Sequence, residues 1–209
     1  MKRRLLVNIR GTNGAGKSTI PLQMMVNDTD NYEISVYGDG KNPKLTVFPN
    51  YGWIALGTYK NKTGGMDTFK NNQQTLDALD KAIELSKPDG YLDKMYDMNF
   101  DILMEGVISS TIYSTYTKLL QAKSKEIPWL SILVLNFLPS VEICIDRVIE
   151  RNGNANIDKK AIRSKWNTVQ RNHYRFKHDG LKSIIVNNEN TPVDSMLKLF
   201  LRTVEKHRN

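Results

Sequence analysis

Two spacings of apolar residues take turns along the chain. Residues 4–9, 101–104, 130–138 and 184–186 are short, largely apolar runs, the pattern of buried strands. The run at 130–138 is bounded by Pro128 and Pro139, as a central parallel strand should be. Helical spacing fills the stretches between, at 17–27, 68–86, 110–122, 140–150, 158–177 and 193–206. In the second of these, Leu76, Leu79, Ile83 and Leu85 share a face, and the KPDG turn ends it. Ser140 is placed to cap the helix that follows it, and NGNAN at 152–156 breaks that helix. Residues 32–37, 44–48 and 53–59 read as short strands punctuated by GDG, NP and PNYG turns. Strands alternating with helices predict a three-layer α/β fold with a mainly parallel sheet. Residues 32–59 are expected to form a small antiparallel insert in a single domain over 1–209.

Composition narrows the class. Of 209 residues, 40% are hydrophobic and 25% charged, which is ordinary for a globular protein. No apolar run reaches the length of a membrane span, and the apolar stretch near the N-terminus is too short for a signal peptide, so no membrane is expected and a cytoplasmic location is. Cys144 is the single cysteine and lies in an apolar stretch, which predicts a core thiol. The net charge of +8 is concentrated: ten basic residues between Arg147 and Lys182 face three acids, leaving +7 in that segment. Such a density points to a polyanion, either nucleotide phosphates or a nucleic-acid backbone.

The sharpest motif follows the first predicted strand. GTNGAGKST at 11–19 fits G-x-x-x-x-G-K-[ST] between a strand and a helix. Glycines let consecutive N–H groups converge on an anion, and the helix behind adds its positive end. Gly11, Thr12, Asn13, Gly14, Ala15, Gly16, Lys17, Ser18 and Thr19 are thus the candidate nucleotide-binding residues. Lys17 is placed to reach the β- and γ-phosphates, and the Ser18 hydroxyl to bind magnesium.

Three further places carry candidate chemistry. Glu105 closes the strand at 101–104, where α/β sheets bind ligands, and is placed to serve magnesium's water or an acceptor hydroxyl. Arg147 and Arg151, four residues apart, lead into the Gly/Asn-rich break and suit a mobile lid over about 151–177; Arg163 and Arg171 on the return helix are candidates to join them. Ion pairing with Asp146 and Glu150 is the plainer role for the pair. Asp67 follows Gly64-Gly65 and is either a helix cap or a rival general base. Tyr51, Trp53, Tyr59 and Phe69 surround that Gly-Gly loop and are read as core residues or as a stacking surface for a base. His173, His178 and His207 show no metal spacing, and the first two read as lid surface.

The phosphate loop, the strand-end Glu105 and the run of Pro139, Glu142, Arg147 and Arg151 resemble the nucleoside and nucleotide kinase group of P-loop proteins. That resemblance implies a core of five parallel strands, ATP with Mg²⁺ as donor, and a closing lid. The RGTNGAGKST opening, the LGTY…GGMDT segment and the basic lid further resemble bacteriophage kinases acting on 5-hydroxymethyluracil within DNA. This implies that residues 11–18 hold ATP, Arg147 and Arg151 serve in the lid, and Asp67 or Glu105 serves the acceptor. The expected activity is transfer of the γ-phosphoryl group to the base's hydroxymethyl oxygen in DNA. A deoxynucleoside monophosphate kinase is the alternative. A DNA-bound ATPase is the third reading, disfavoured because no long apolar strand ending in Asp follows the loop.

Overall fold

A computed structural model describes residues 3–60, 64–106, 112–154 and 156–208. Seven strands form one sheet: β1 (Arg4–Arg10), β2 (Tyr32–Ser35), β3 (Lys44–Phe48), β4 (Trp53–Leu56), β5 (Asp101–Glu105), β6 (Leu130–Phe137) and β7 (Lys182–Val186). Their order is β2-β3-β4-β5-β1-β6-β7. The five strands from β4 to β7 in that order pair in parallel. The expected five-stranded sheet is therefore corrected to seven: β2 and β3 pair antiparallel and extend the same sheet through β4. The insert is shorter than 32–59, because Trp53–Leu56 turns at Gly52 and joins the parallel core against β5.

Seven α-helices are described: α1 (Thr19–Asn27), α2 (Asn72–Leu85), α3 (Tyr91–Tyr96), α4 (Ser114–Glu126), α5 (Val141–Asn152), α6 (Lys159–His178) and α7 (Met196–His207). Alternation along β1 sends Leu5, Val7 and Ile9 into one core with α1, α5 and α7, and Leu6 into the other with α2, α3 and α4. These are the two outer layers of the sandwich. The short α3 was not anticipated; Arg4, buried at the start of β1, reaches across to Asp93 and fixes it. The start of the helix expected at 110 lies outside the described residues, as do 61–63 of the Lys/Asn/Gly loop. No helix among the described residues is long and apolar enough to cross a membrane.

Helix α6 departs most from expectation. Its Ile162 belongs to the core of α1, α5 and α7, whereas its Phe176 belongs to the core of α2 and α4. It thus passes from one layer to the other beside β6 and β7. His173 is buried rather than on the lid surface, with Nδ1 3.0 Å from Ser183 Oγ on β7. The C-terminal half of this helix is packed because Val169, Asn172, His173 and Phe176 recur at helical spacing on one face.

Candidate active site

The loop from Gly11 to Ser18 lies at the carboxyl end of β1, in the middle of the parallel strands. It is held on all sides. Thr12 Oγ1 donates to the Ile162 carbonyl at 3.1 Å, and Asn188 Nδ2 donates to the Ala15 carbonyl at 3.0 Å. Gly14 has φ +78°, and a Cβ there would lie 2.1 Å from the carbonyl oxygen of Cys144. Only glycine fits a left-handed backbone pressed against another carbonyl. Cys144 itself is buried in the core.

Lys17 is 5% exposed and donates from Nζ to the Thr12 carbonyl at 3.1 Å. Burial lowers its pKa, opposed by the nearby Glu105 and Asp67. Regular helix begins only at Thr19, so Lys17 and Ser18 belong to the turn that enters α1. Ser18 Oγ donates to Glu105 Oε2 at 3.2 Å. The register brings this about: Ile9 pairs with Glu105, so β1 and β5 end level.

Glu105 is 1% exposed, and burial pushes its carboxyl up to about 7, against the pull of the Lys17 charge and with the push of Asp67. Its Oε1 accepts no well-formed hydrogen bond among the described residues. The Tyr59 phenol beside it donates to the Leu56 carbonyl at 3.4 Å, also lies within reach of Glu105, and is held protonated by burial and the neighbouring carboxylates. Behind Glu105 sits Gly65, with φ +66°; a Cβ there would lie 2.1 Å from Oε1. Gly65 N–H donates to the Thr58 carbonyl at 3.1 Å, so the chain doubles back from β4 and forms a seat for the carboxylate.

Asp67 stands in the 3₁₀ turn Met66–Thr68, half-buried, and its charge acts on Lys17, Glu105, Tyr59 and Tyr116. The cap of α2 is Asn71, whose side chain accepts from Gln74 N–H, so the capping role weighed for Asp67 is corrected. Beside the turn opens a cavity of about 320 Å³ lined by Met66, Phe69, Asn71, Asn72, Thr75 and Tyr116 among others. Of the four aromatics weighed as a stacking surface, Phe69 alone lines it. Trp53 packs on Phe200 with ring centroids 5.2 Å apart, Tyr59 is buried against the seat, and Tyr51 packs on the core.

The structure thus brings Lys17, Ser18, Glu105 and Asp67 together. Arg147 and Arg151 are turned elsewhere. Arg147 Nη2 donates to the carbonyls of Asn188 and Glu189 at 3.1 and 3.3 Å, bracing the loop whose Asn188 side chain holds Ala15. Arg151 is exposed and meets Asn152. Neither makes the ion pair with Asp146 or Glu150 weighed for it; Arg163 pairs with Glu142 at 2.8 Å instead, and the exposed Arg171 meets Thr168. Ser140 opens α5, but its hydroxyl donates to Glu189 rather than capping the helix. Sequence reasoning missed Tyr116, Asn188 and Lys165, a half-buried residue whose charge reaches Lys17. Nothing local marks Tyr116 or Asn188. Lys165 carried a signal, the helical spacing that turns it towards the Ile162 side of α6.

These residues fit a nucleotide with magnesium. A buried lysine in an amide-lined loop matches a phosphate, while the Ser18 hydroxyl and the Glu105 carboxylate are oxygen donors of the kind magnesium takes. Five parallel strands in the order β4-β5-β1-β6-β7, a phosphate loop on the central strand and an acid closing its neighbour make this a P-loop α/β fold with a candidate nucleotide site. The chain belongs to the 5-hmdU DNA kinase family, whose model matches residues 2–197.

Its relatives include the 5-hmdU DNA kinase of Bacillus phage SP10, 40% identical over 206 residues; that match covers 97% of this chain and 30% of the relative's length. 5-hmdU DNA kinase 1 of Salmonella phage ViI is 33% identical over 174 residues, covering 82% of this chain and 70% of its own. The Pseudomonas phage M6 5-hmdU DNA kinase is 28% identical, covering 83% and 86%. Among solved structures, the M. mycoides deoxyadenosine kinase with bound dCTP overlaps 96% of this chain and 98% of its own. At 14% identity and a TM-score of 0.42, that overlap is too loose to bear on the substrate.

Proposed function

We propose that this chain transfers the γ-phosphoryl group of ATP to the hydroxymethyl oxygen of 5-hydroxymethyluracil in DNA. The observation that carries this reading is the convergence of Lys17, Ser18, Glu105 and Asp67, with a cavity of about 320 Å³ lined by Met66 and Phe69 on either side of Asp67 in the chain. That volume is at the small end of ligand pockets, which run to roughly 300–1,000 Å³, and matches one nucleoside better than a large ligand. The family's name supplies the acceptor. The acid-poor segment 147–182 supports a polymeric one, since a DNA substrate brings its own row of phosphates.

The carboxylates divide the work by position. Glu105 touches Ser18 and is the magnesium-side acid; Ser18 and Glu105 would hold the ion, which when bound offsets phosphate charge. Asp67 adjoins the cavity through Met66 and is the acceptor-side base. The hydroxymethyl oxygen attacks the γ-phosphorus and its proton passes to Asp67. The bond from the γ-phosphorus to the β-γ bridging oxygen breaks, and ADP leaves. Lys17 follows the charge onto the β-γ oxygens, with Lys165 behind it. Phe69 and Tyr116 flank the acceptor base, which must leave the duplex stack to reach Asp67.

The test is transfer of labelled γ-phosphate to a panel: duplex DNA with 5-hydroxymethyluracil, the same duplex with thymine, the free 5-hydroxymethyl nucleotide and the ordinary deoxynucleoside monophosphates. Label confined to the hydroxymethylated duplex is the expected result. Label confined to monophosphates would make the chain a nucleotide kinase, and free phosphate alone would make it an ATPase.

A further inference from the structure

Helix α6 has an unusual composition for a solvated helix. Over residues 159–178 it holds seven Lys or Arg and no Asp or Glu. Exposed helices ordinarily interleave the two signs, because opposite charges four apart stabilise a helix by a few tenths of a kcal/mol and like charges cost about as much. Here Lys159 and Arg163, and again Arg171 and Arg175, are like-charged neighbours at that spacing. The helix tolerates this because its other face is buried from Ile162 to Phe176.

The two faces divide the cations. Lys165 is half-buried and its charge reaches Lys17, so it serves the phosphate loop. Lys160, Asn167, Arg171, Tyr174 and Arg175 are exposed, at successive spacings of seven, four, three and one, and turned away from the buried face. Lys160 and Arg171 have no carboxylate within ion-pair reach among the described residues. Tyr174 is 61% exposed, a large aromatic ring set among cations.

The placement of the ends gives this stripe a direction. Near its start, the Ile162 carbonyl accepts from Thr12 of the phosphate loop. Near its end, the Arg175 guanidinium lies 3.8 Å above the Tyr113 ring, and the Phe176 ring lies 5.1 Å from it. Tyr113 enters α4, and Tyr116, one turn on, lines the acceptor cavity. From Lys160 to Arg175 the helix rises about 22 Å at 1.5 Å per residue, the span of about six phosphates on one strand at 3.4 Å each.

We propose that the outer face of α6, through Lys160, Asn167, Arg171 and Tyr174, is the track on which the sugar–phosphate backbone of the acceptor DNA lies while its target base enters the cavity. The proposal rests on the reading of a DNA acceptor and names where on the chain that DNA is held. Lysine and arginine supply the charge, and Asn167 and the Tyr174 hydroxyl supply neutral donors that fix the strand's register without reading sequence.

The test is equilibrium binding of a thymine duplex and a 5-hydroxymethyluracil duplex, titrated with salt, for the native chain and for Lys160→Gln/Arg171→Gln. A control, Lys125→Gln/Lys198→Gln, removes the same net charge from exposed positions on α4 and α7. The track variant is expected to bind both duplexes about tenfold more weakly, with the slope of log affinity against log salt reduced by about two and the KM for ATP unchanged. The control is expected to keep the native slope. Equal weakening in both variants would mean that net charge alone acts, and the track would be wrong. An unchanged slope in the track variant would overturn it too. So would loss of binding to phosphatidylserine vesicles with duplex binding intact, which would give the face to a membrane. If the panel instead labels only monophosphates while the track variant still loses duplex binding, the acceptor reading falls and the track is overturned as a path for acceptor DNA, leaving only a DNA-binding face.

Discussion

Around Gly14 there is no slack: the backbone is pressed on the Cys144 carbonyl, Ala15 is held by Asn188, and Thr12 is tied to α6. Around Asp67 the packing loosens. A single bridge, Thr58 to Gly65, returns the chain to β4, and Asp67, Thr68 and Phe69 are half-buried beside a cavity. On the proposed function, the difference follows from what each end would handle. A triphosphate presents the same oxygens at every turnover, so a rigid cradle costs nothing in adaptability and gains in alignment. An acceptor base arriving from a duplex has to be admitted, and an end with room to adjust admits it.

The largest effect that would break this contrast comes from its two polar centres. Lys17→Ala is expected to lower kcat by at least about 10³-fold with the fold kept, read by labelled transfer and circular dichroism. Asp67→Asn is expected to cost about 10²-fold in kcat while leaving the KM for ATP within about twofold. A rise in the KM for ATP as large as the fall in kcat would put Asp67 on the nucleotide side and erase the division.

The seat between the two ends is next. Gly65→Ala puts a methyl carbon against Glu105 at a left-handed φ and is expected to cost about 2–3 kcal/mol, a fall of about 4–12 °C in Tm. Gly40→Ala, with φ +74° and open space around it, pays only the backbone term of about 1 kcal/mol. Equal losses for the two would show that the seat does not press on Glu105.

The smallest effect is a dependence on pH. Glu105 sits near 7 in the folded protein against an ordinary 4.5, because burial disfavours its charge. Its contribution to stability is therefore full below about 4.5 and is lost as pH rises through 7. The Tm difference between Glu105→Gln and the native chain should move in the variant's favour between pH 5 and pH 8. A difference that stays flat, or moves the other way, would mean that the Lys17 charge outweighs burial at this carboxyl.

What the sequence disclosed follows the range of the interactions involved. The phosphate loop was legible because eleven to nineteen is one contiguous strand–turn–helix segment whose chemistry is local. Strand and helix order was legible from periodicity for the same reason. The place of Trp53–Leu56 was not, since its partner β5 lies about fifty residues on and a four-residue apolar run fits either an antiparallel insert or a parallel core. The helix cap was misjudged between two nearby residues, Asp67 and Asn71, because a 3₁₀ turn sits between the Gly-Gly loop and α2. Charge misled at α6: a basic sequence looks like surface, yet His173 and Phe176 are buried while Arg175 between them is exposed.

Helix α6 is one rod seated at both ends, on the phosphate loop through Ile162 and on the acceptor wall through Arg175 and Phe176. No joint separates the ends within residues 159–178. On the proposed function, a nucleotide that steadied one seat would steady the other through this rod, and linkage would make the effect mutual: the factor by which ATP tightened the acceptor would be the factor by which the acceptor tightened ATP.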